Sequence, residues 1–347
     1  MRFRDETRVL ARCFLLAMPL IALVIAYAVL DPFMVVRAHA DYYPGQYGVF
    51  PNRDWVSTRL LPPAAGASAP DSFIFGNSRS MAFEADDWRP YLRPGARPYH
   101  FDASLESLYG VWSKIRYLDG HGYRLENVLL IVDADLLRQA IHADQRALFR
   151  KTPSVDGSSW VTFHLAFVEA FLSRGFFMKY FDFVWSGHHR PYMDGAIDRR
   201  YFVHRPESND LSFAPLEAEI EKQGEQYHRS RASIFDAPIE GVGTPTQPVL
   251  SGEQRRMLQE LERIFAKHGT AIRIVVSPLY DRRPLAPSDR AALQQIFGRA
   301  NVFDYSGSNA FTEDRHNYYE ASHYRIGVAR NILRDAYGSR SGIGGPP

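Results

Sequence analysis

Eighteen consecutive uncharged residues, Cys13 to Leu30 (CFLLAMPLIALVIAYAVL), set the first constraint on this chain. Inside a bilayer each backbone N–H and C=O must find its partner within the segment, so a run of this length and apolarity predicts a spanning helix. Pro19 lies inside the run and is tolerated in such helices. Arg2, Arg4, Arg8 and Arg12 precede it, which by the positive-inside rule keeps the N-terminus in the cytoplasm and exports the rest of the chain. The bland alternative is a buried helix of a soluble core; length and basic flank argue against it. A cleaved signal peptide competes, because Ala38-His39-Ala40 has the small-x-small form of a cleavage site. The apolar run is longer than a usual signal core, however, and Asp31 to Arg37 separate it from that site. Leu10-Ala11-Arg12-Cys13 is no lipoprotein signal, since its cysteine precedes the apolar core. The expectation is a single-pass anchor over residues 1–37 in a bacterial inner membrane, with the remaining chain in the periplasm.

The full chain of 347 residues can bury a substantial core, as one large domain or a domain with an insertion. Lys and Arg number 41 against 39 Asp and Glu, and the basic residues are scattered. That balance argues against a nucleic-acid partner. A single cysteine excludes an intramolecular disulfide and a cysteine-ligated zinc.

Residues 38–70 are rich in Pro, Gly, Ala and Tyr without a sustained period, which predicts a stalk or loosely packed lead-in. Short apolar runs with strand character come next: Ser72–Phe75, Pro98–Phe101, Val128–Val132, Ala271–Val276 and Val302–Tyr305. Helical patterns lie between several of them. Leu105, Leu108, Val111, Trp112 and Ile115 share one helical face. Ser251-Gly252-Glu253-Gln254 reads as a capping box, and Lys267-His268-Gly269 as the matching stop. Strands alternating with helices predict a parallel sheet covered on both faces, with a site at the carboxyl ends of its strands. Ser78, Ser104, Asp133 and Ser277-Pro278-Leu279-Tyr280 come after the first four runs and fall at that edge. Residues 137–247 break the alternation and read as an inserted helical cap between the third and fourth strands. Its aromatic segment Trp160 to Trp185 has the spacing of cap core, with contact to a membrane or to a partner as the alternative. The Ser/Gly/Pro stretch 338–347 reads as a disordered tail.

Two segments carry chemistry. Phe73-Ile74-Phe75-Gly76-Asn77-Ser78-Arg79-Ser80 is a buried strand stopped by a tight turn that holds a serine. Glu320-Ala321-Ser322-His323-Tyr324 places an acid three residues before a histidine, ahead of the amphipathic stretch Ile326 to Tyr337. A serine hydroxyl becomes a nucleophile when an imidazole takes its proton, and the imidazole needs an acceptor on its other nitrogen. Ser78, His323 and Glu320 are the candidates for those three roles. His323 is expected at the N-terminus of the last helix, where the dipole favours the neutral ring.

In this order and with these flanks the two segments resemble the SGNH/GDSL hydrolase superfamily over roughly residues 71–337. The resemblance implies a flavodoxin-like three-layer α/β/α sandwich, Ser78 as nucleophile, His323 as base and Glu320 in place of the usual aspartate. It implies an oxyanion hole from the backbone N–H groups of Ser78 and of Ser104, which follows Asp102-Ala103 where the family has a glycine. The family's third block offers an asparagine side chain as a further donor. This chain has Val132-Asp133-Ala134-Asp135 there, and a carboxylate would repel the developing charge. Arg79, Asp133 and Tyr280 are candidate substrate contacts, with pairing of Arg79 to Asp102 or Asp133 as the alternative.

In layout the chain is similar to the anchored, exported members associated with O-acylation of cell-surface polymers, such as the alginate O-acetylation and D-alanyl-lipoteichoic acid transfer proteins. That implies an acylated cell-envelope glycan or another ester as substrate and a membrane-bound O-acyltransferase as partner. Hydrolysis and transfer use the same residues and are not separated by sequence. No cofactor or metal is expected: His188, His189 and His204 lack a ligand spacing and read as loop histidines. The competing class is a degenerate module that binds polysaccharide or scaffolds an export complex.

Overall fold

A computed structural model describes residues 2–141 and 146–338, the side chains of residues 2–12 and Leu20 excepted. The tail expected over 338–347 lies, beyond Gly338, outside the described residues. The helices used below are α1 (Arg2–Leu30), α2 (Leu108–Gly120), α3 (Trp160–Leu172), α4 (Arg174–Ser186), α5 (Gly252–His268), α6 (Pro287–Phe297) and α7 (Ile326–Gly338). The central strands are β1 (Ser72–Phe75), β2 (Pro98–His100), β3 (Asn127–Val132), β4 (Ala271–Val276) and β5 (Val302–Asp304).

The chain divides into two compact units. One combines residues 1–51 with 146–148 and 159–200. It holds α1, whose window Cys13–Leu30 is long and apolar enough to cross a membrane and is almost wholly exposed. The apolar pair α3 and α4, and a two-stranded antiparallel pairing of Tyr47–Gly48 with Asp198–Arg199, complete the unit.

The second unit is a mixed α/β body built on a parallel five-stranded sheet of order β2-β1-β3-β4-β5. Strand period sends alternate residues to opposite faces. Phe73, Phe75, Val128, Leu130, Val132, Ile272 and Ile274 pack on one face against α2, α5 and α6. Ile74, Leu129, Ile131 and Val275 pack on the other against Val328, Ala329, Ile332 and Leu333 of α7. Burial on both faces explains why these strands read as continuous apolar runs. The capping box at Ser251 and the left-handed stop at Gly269 bound α5 as its sequence predicts.

Two expectations about organisation change. Residues 38–70 are not a uniform stalk, because a helix over Arg53–Arg59, capped by Asn52, buries Arg53, Asp54, Trp55, Val56 and Ser57. Nor is 137–247 one cap, since 159–200 groups with the N-terminal segment and 201–247 with the sheet. Both departures come from long-range pairing that has no local period.

Candidate active site

β1 ends at Phe75, and Gly76 leads the chain into the short 3-10 turn Ser78–Ala82. A Cβ on Gly76 would sit 2.8 Å from Ser80 Cβ and 3.0 Å from the Ile131 carbonyl oxygen, so the turn can approach β3 only with glycine there. Asn77 caps the turn by accepting the Arg79 N–H at 3.0 Å.

Ser78 Oγ donates to His323 Nε2 at 2.8 Å, and His323 Nδ1–H donates to Glu320 Oε1. A carboxylate can only accept, so the proton belongs on Nδ1 and Nε2 is left free to accept from the serine. Burial alone would raise the Glu320 carboxyl, but the His323 ring and the Ser322 N–H outweigh it and hold the group below its ordinary value. The acid therefore stays ionised beside the ring.

The spacing brings both groups together, yet not on a helix. Tyr318–Glu320 and His323–Tyr324 form an antiparallel hairpin in which Glu320 faces His323, and α7 begins only at Ile326. The helix dipole expected to act on His323 is thus replaced by a cross-strand contact. Tyr318 Oη donates to the Pro278 carbonyl and Tyr227 Oη to that of Tyr319, each at 3.0 Å. Arg325 pairs with Glu217, and the Phe213 ring lies 5.8 Å from the imidazole.

Ser78 and His323 open on a cleft of about 260 Å3 whose walls include Arg79, Leu105, Glu106 and Asp135. The Ser78 and Ser104 N–H groups make no hydrogen bond among the described residues. Ser104 adjoins Leu105, held in left-handed backbone at φ 50°.

Asp133 does not contact the cleft. Its Oδ1 accepts from the N–H groups of Asp135 and Leu136 at 2.9 Å each, capping the short helix Ala134–Arg138. Its Oδ2 accepts from Asn77 Nδ2 and Arg79 Nη1, both at 2.7 Å. Of the alternatives for Arg79, the partner is Asp133; Asp102 pairs instead with Arg53 at 2.7 Å. Burial opposes the Arg79 charge, but Asp133 outweighs burial and raises the group above its ordinary value. Arg79 still lines the cleft, and its Nε is buried without a partner among the described residues. Tyr280 does not line that cleft: it is buried among Phe235 and Tyr318, and its hydroxyl donates to the Phe235 carbonyl at 2.9 Å.

Two features escape the sequence reading. Ser80, His100 and Asp210 form a second Ser–His–Asp relay, with Ser80 Oγ 2.9 Å from His100 Nε2 and His100 Nδ1 3.1 Å from Asp210 Oδ1. All three are buried, and the single Ser80 hydroxyl proton goes to the Asn77 carbonyl at 2.7 Å, which leaves Ser80 Oγ an acceptor towards His100. Solvent does not reach it, so it braces the turn that carries Ser78. Beneath the loop 102–107 lies a buried cluster of three cations, Arg53, Lys114 and Lys151, with three anions, Asp54, Asp102 and Glu106. Lys114 Nζ also donates to the Asp102 carbonyl at 2.7 Å, which fixes the loop before Ser104. Asp210 and Lys151 lie in the stretch without period; His100, ending an apolar strand, was the one visible signal.

Among the loop histidines, His189 stacks on Tyr47 and pairs with Asp194, and His204 meets Asn209. No group of three or more His, Cys, Asp or Glu with metal-binding proximity occurs among the described residues. Comparison with protein-family models finds no match, and comparison with curated proteins finds none either.

Proposed function

We propose that this chain is a membrane-anchored, exported serine esterase or O-acyltransferase of SGNH type, acting on acyl esters of a cell-envelope glycan. The observation that carries the reading is the continuous Glu320–His323–Ser78 hydrogen-bond relay at the rim of a cleft. The strand order β2-β1-β3-β4-β5 with helices on both faces supports a flavodoxin-like three-layer sandwich, whose switch point falls between β1 and β3. Ser78 follows β1 and Asp133 follows β3 at that point. The N-terminal helix supports anchorage in the bacterial inner membrane with the α/β body in the periplasm.

In this mechanism Ser78 Oγ attacks the ester carbonyl carbon while its proton passes to His323 Nε2, and Glu320 balances the imidazolium. The carbonyl π electrons move to the oxygen, which the N–H groups of Ser78 and Ser104 receive. The guanidinium of Arg79 supplies the further positive donor in place of the family's asparagine. Collapse expels the glycan oxygen, which takes the proton from His323 and leaves an acyl-serine. Water or a second sugar hydroxyl then attacks, giving hydrolysis or transfer. The modest cleft favours a short acyl group, and a membrane-bound O-acyltransferase is the natural donor partner for the transfer arm.

The test is labelling of the purified protein by a fluorophosphonate, with Ser78→Ala and His323→Ala as controls. Labelling lost in both variants supports the reading. A folded parent that does not label moves the assignment to a degenerate SGNH-like module that binds polysaccharide or scaffolds its export, the reading favoured by Asp133 at the asparagine position.

A further inference from the structure

The helices α3 and α4 are apolar on the wrong side for a water-facing pair. α3 turns Phe163, Phe167 and Phe171 inward, as an amphipathic helix should. Its opposite face carries Val161, Leu165, Val168 and Leu172, at spacings of four, three and four residues, with Glu169 as the one exposed charge beside them. Val161 is 68% and Leu165 58% exposed. α4 buries Phe176 and turns Met178, Phe181, Val184 and Trp185 outward, with Met178 64% and Trp185 93% exposed. Two charges of α4 are drawn to the following loop instead: Lys179 donates to the Asp194 carbonyl at 2.9 Å, and Asp182 pairs with Arg190.

Each helix has 13 residues and the two bend by 72° at Ser173. Thirteen residues extend about 20 Å, short of a hydrocarbon core of about 30 Å, so neither spans alone, and the bend gives the pair the form of a broken or re-entrant segment. Segments of that length and apolarity suit an interfacial or re-entrant position.

The neighbours of the inner stripe indicate what covers the outer one. Phe171 packs on Tyr27 of α1 at 5.5 Å, and Phe167 and Phe176 pack on Phe33, just past the end of α1, at 5.4 and 4.7 Å. α1 itself exposes Val24, Ile25 and Val29 in its last turns. A mostly apolar stretch therefore runs through both helices while its inner rings pack on the end of the candidate span. It stops at Trp185, after which the polar run Ser186 to Arg190 begins, the placement that tryptophan takes at a lipid–water boundary.

We propose that α3 and α4 form an interfacial hairpin seated in the bilayer leaflet at which α1 ends, with lipid acyl chains covering Val161, Leu165, Met178, Phe181 and Trp185. The inference rests on the reading of α1 as a membrane anchor. Its apolar side chains enter about 5–10 Å into the headgroup–acyl boundary, which gives α1 a second, lateral foothold.

The test uses the full chain in nanodiscs, with Cys13→Ser removing the native thiol. Single cysteines replace Leu165, Met178 or Trp185, with Val24→Cys as the reference inside α1 and Asp194→Cys as the aqueous reference. Each carries an environment-sensitive fluorophore challenged with doxyl-labelled lipid and with aqueous iodide. Loss of fluorescence to doxyl lipid at 165, 178 and 185, comparable to that at 24 and absent at 194, supports the hairpin. Loss to iodide at the three sites, with 24 still quenched by lipid, overturns the hairpin and leaves the anchor standing. Shielding from both quenchers indicates a protein partner and also overturns it. Quenching by iodide at 24 overturns the anchor and the hairpin together.

Discussion

Arg79 Nη1 and Asp133 Oδ2 lie 2.7 Å apart, joining the turn after β1 to the loop after β3 directly beside Ser78. An aspartate at this position would repel an oxyanion if it stood alone. Here its charge is compensated on its inner side by Arg79 and Asn77, and the remaining guanidinium surface lines the cleft.

Arg79→Met is therefore expected to lower kcat for a short-chain ester by about 10²–10³-fold, the usual loss for one oxyanion donor, with a far smaller change in KM. Arg79→Lys should recover part of kcat, because it keeps the charge and loses the planar fork. Steady-state kinetics on the three proteins check this; an unchanged kcat in Arg79→Met would remove Arg79 from the hole.

Ser78→Ala and Ser80→Ala should separate cleanly. The first abolishes fluorophosphonate labelling and leaves the fold intact. The second keeps labelling but destabilises by about 1–3 kcal/mol, because the Asn77 carbonyl and His100 Nε2 lose their shared hydroxyl inside the core. Labelling and thermal unfolding of both variants, read together, decide it.

Glu320→Gln keeps the shape but not the acceptor charge, so the ring loses its fixed tautomer. A fall in kcat on the order of 10³–10⁴-fold is expected, with the Ser78–His323 pair still present. Pre-steady-state acylation rates provide the measurement, since they isolate the step in which His323 accepts the proton.

The buried cluster predicts an acid limb of stability. Burial raises the Asp54 and Asp102 carboxyls, but Lys114 and Lys151 around the first and Arg53 beside the second hold both below their ordinary value. The unfolded chain then takes up protons first as pH falls. Their contribution is complete above an ordinary aspartate pKa of about 3.9 and is lost as pH drops through the lower folded values. Lys114→Met leaves the buried acids under-compensated and should cost about 3–5 kcal/mol at neutral pH while flattening that acid slope. Thermal melts of parent and variant across the acid range test both halves.

Local signals made much of the sheet unit legible. The apolar runs became β1 to β5 because strands buried on both faces need no alternation to be seen. The proximity of Ser78, His323 and Glu320 was readable because the proposed roles demand these residue types at a set spacing. The unreadable parts depend on contacts distant in sequence. Arg53 meets Asp102 and Asn209, and His100 meets Asp210, across separations that no period encodes. The helix dipole assigned to His323 failed for a local reason: Tyr318 to Tyr324 pair as a hairpin before α7 can start. The aromatic spacing of 160–185 correctly marked helices but could not tell an inner stripe from an outer one, since both are apolar.

The second relay has a consequence for how such sites are found. Ser78 and Ser80 stand two residues apart, and each holds a histidine whose other nitrogen meets an acid. A geometric template built on those three groups would return both. Only one faces a space that a substrate can enter. The two relays differ in solvent access and in the Ser80 hydroxyl's second bond to the Asn77 carbonyl, so a variant that opened a path to Ser80 would ask whether the buried set, once wetted, can react.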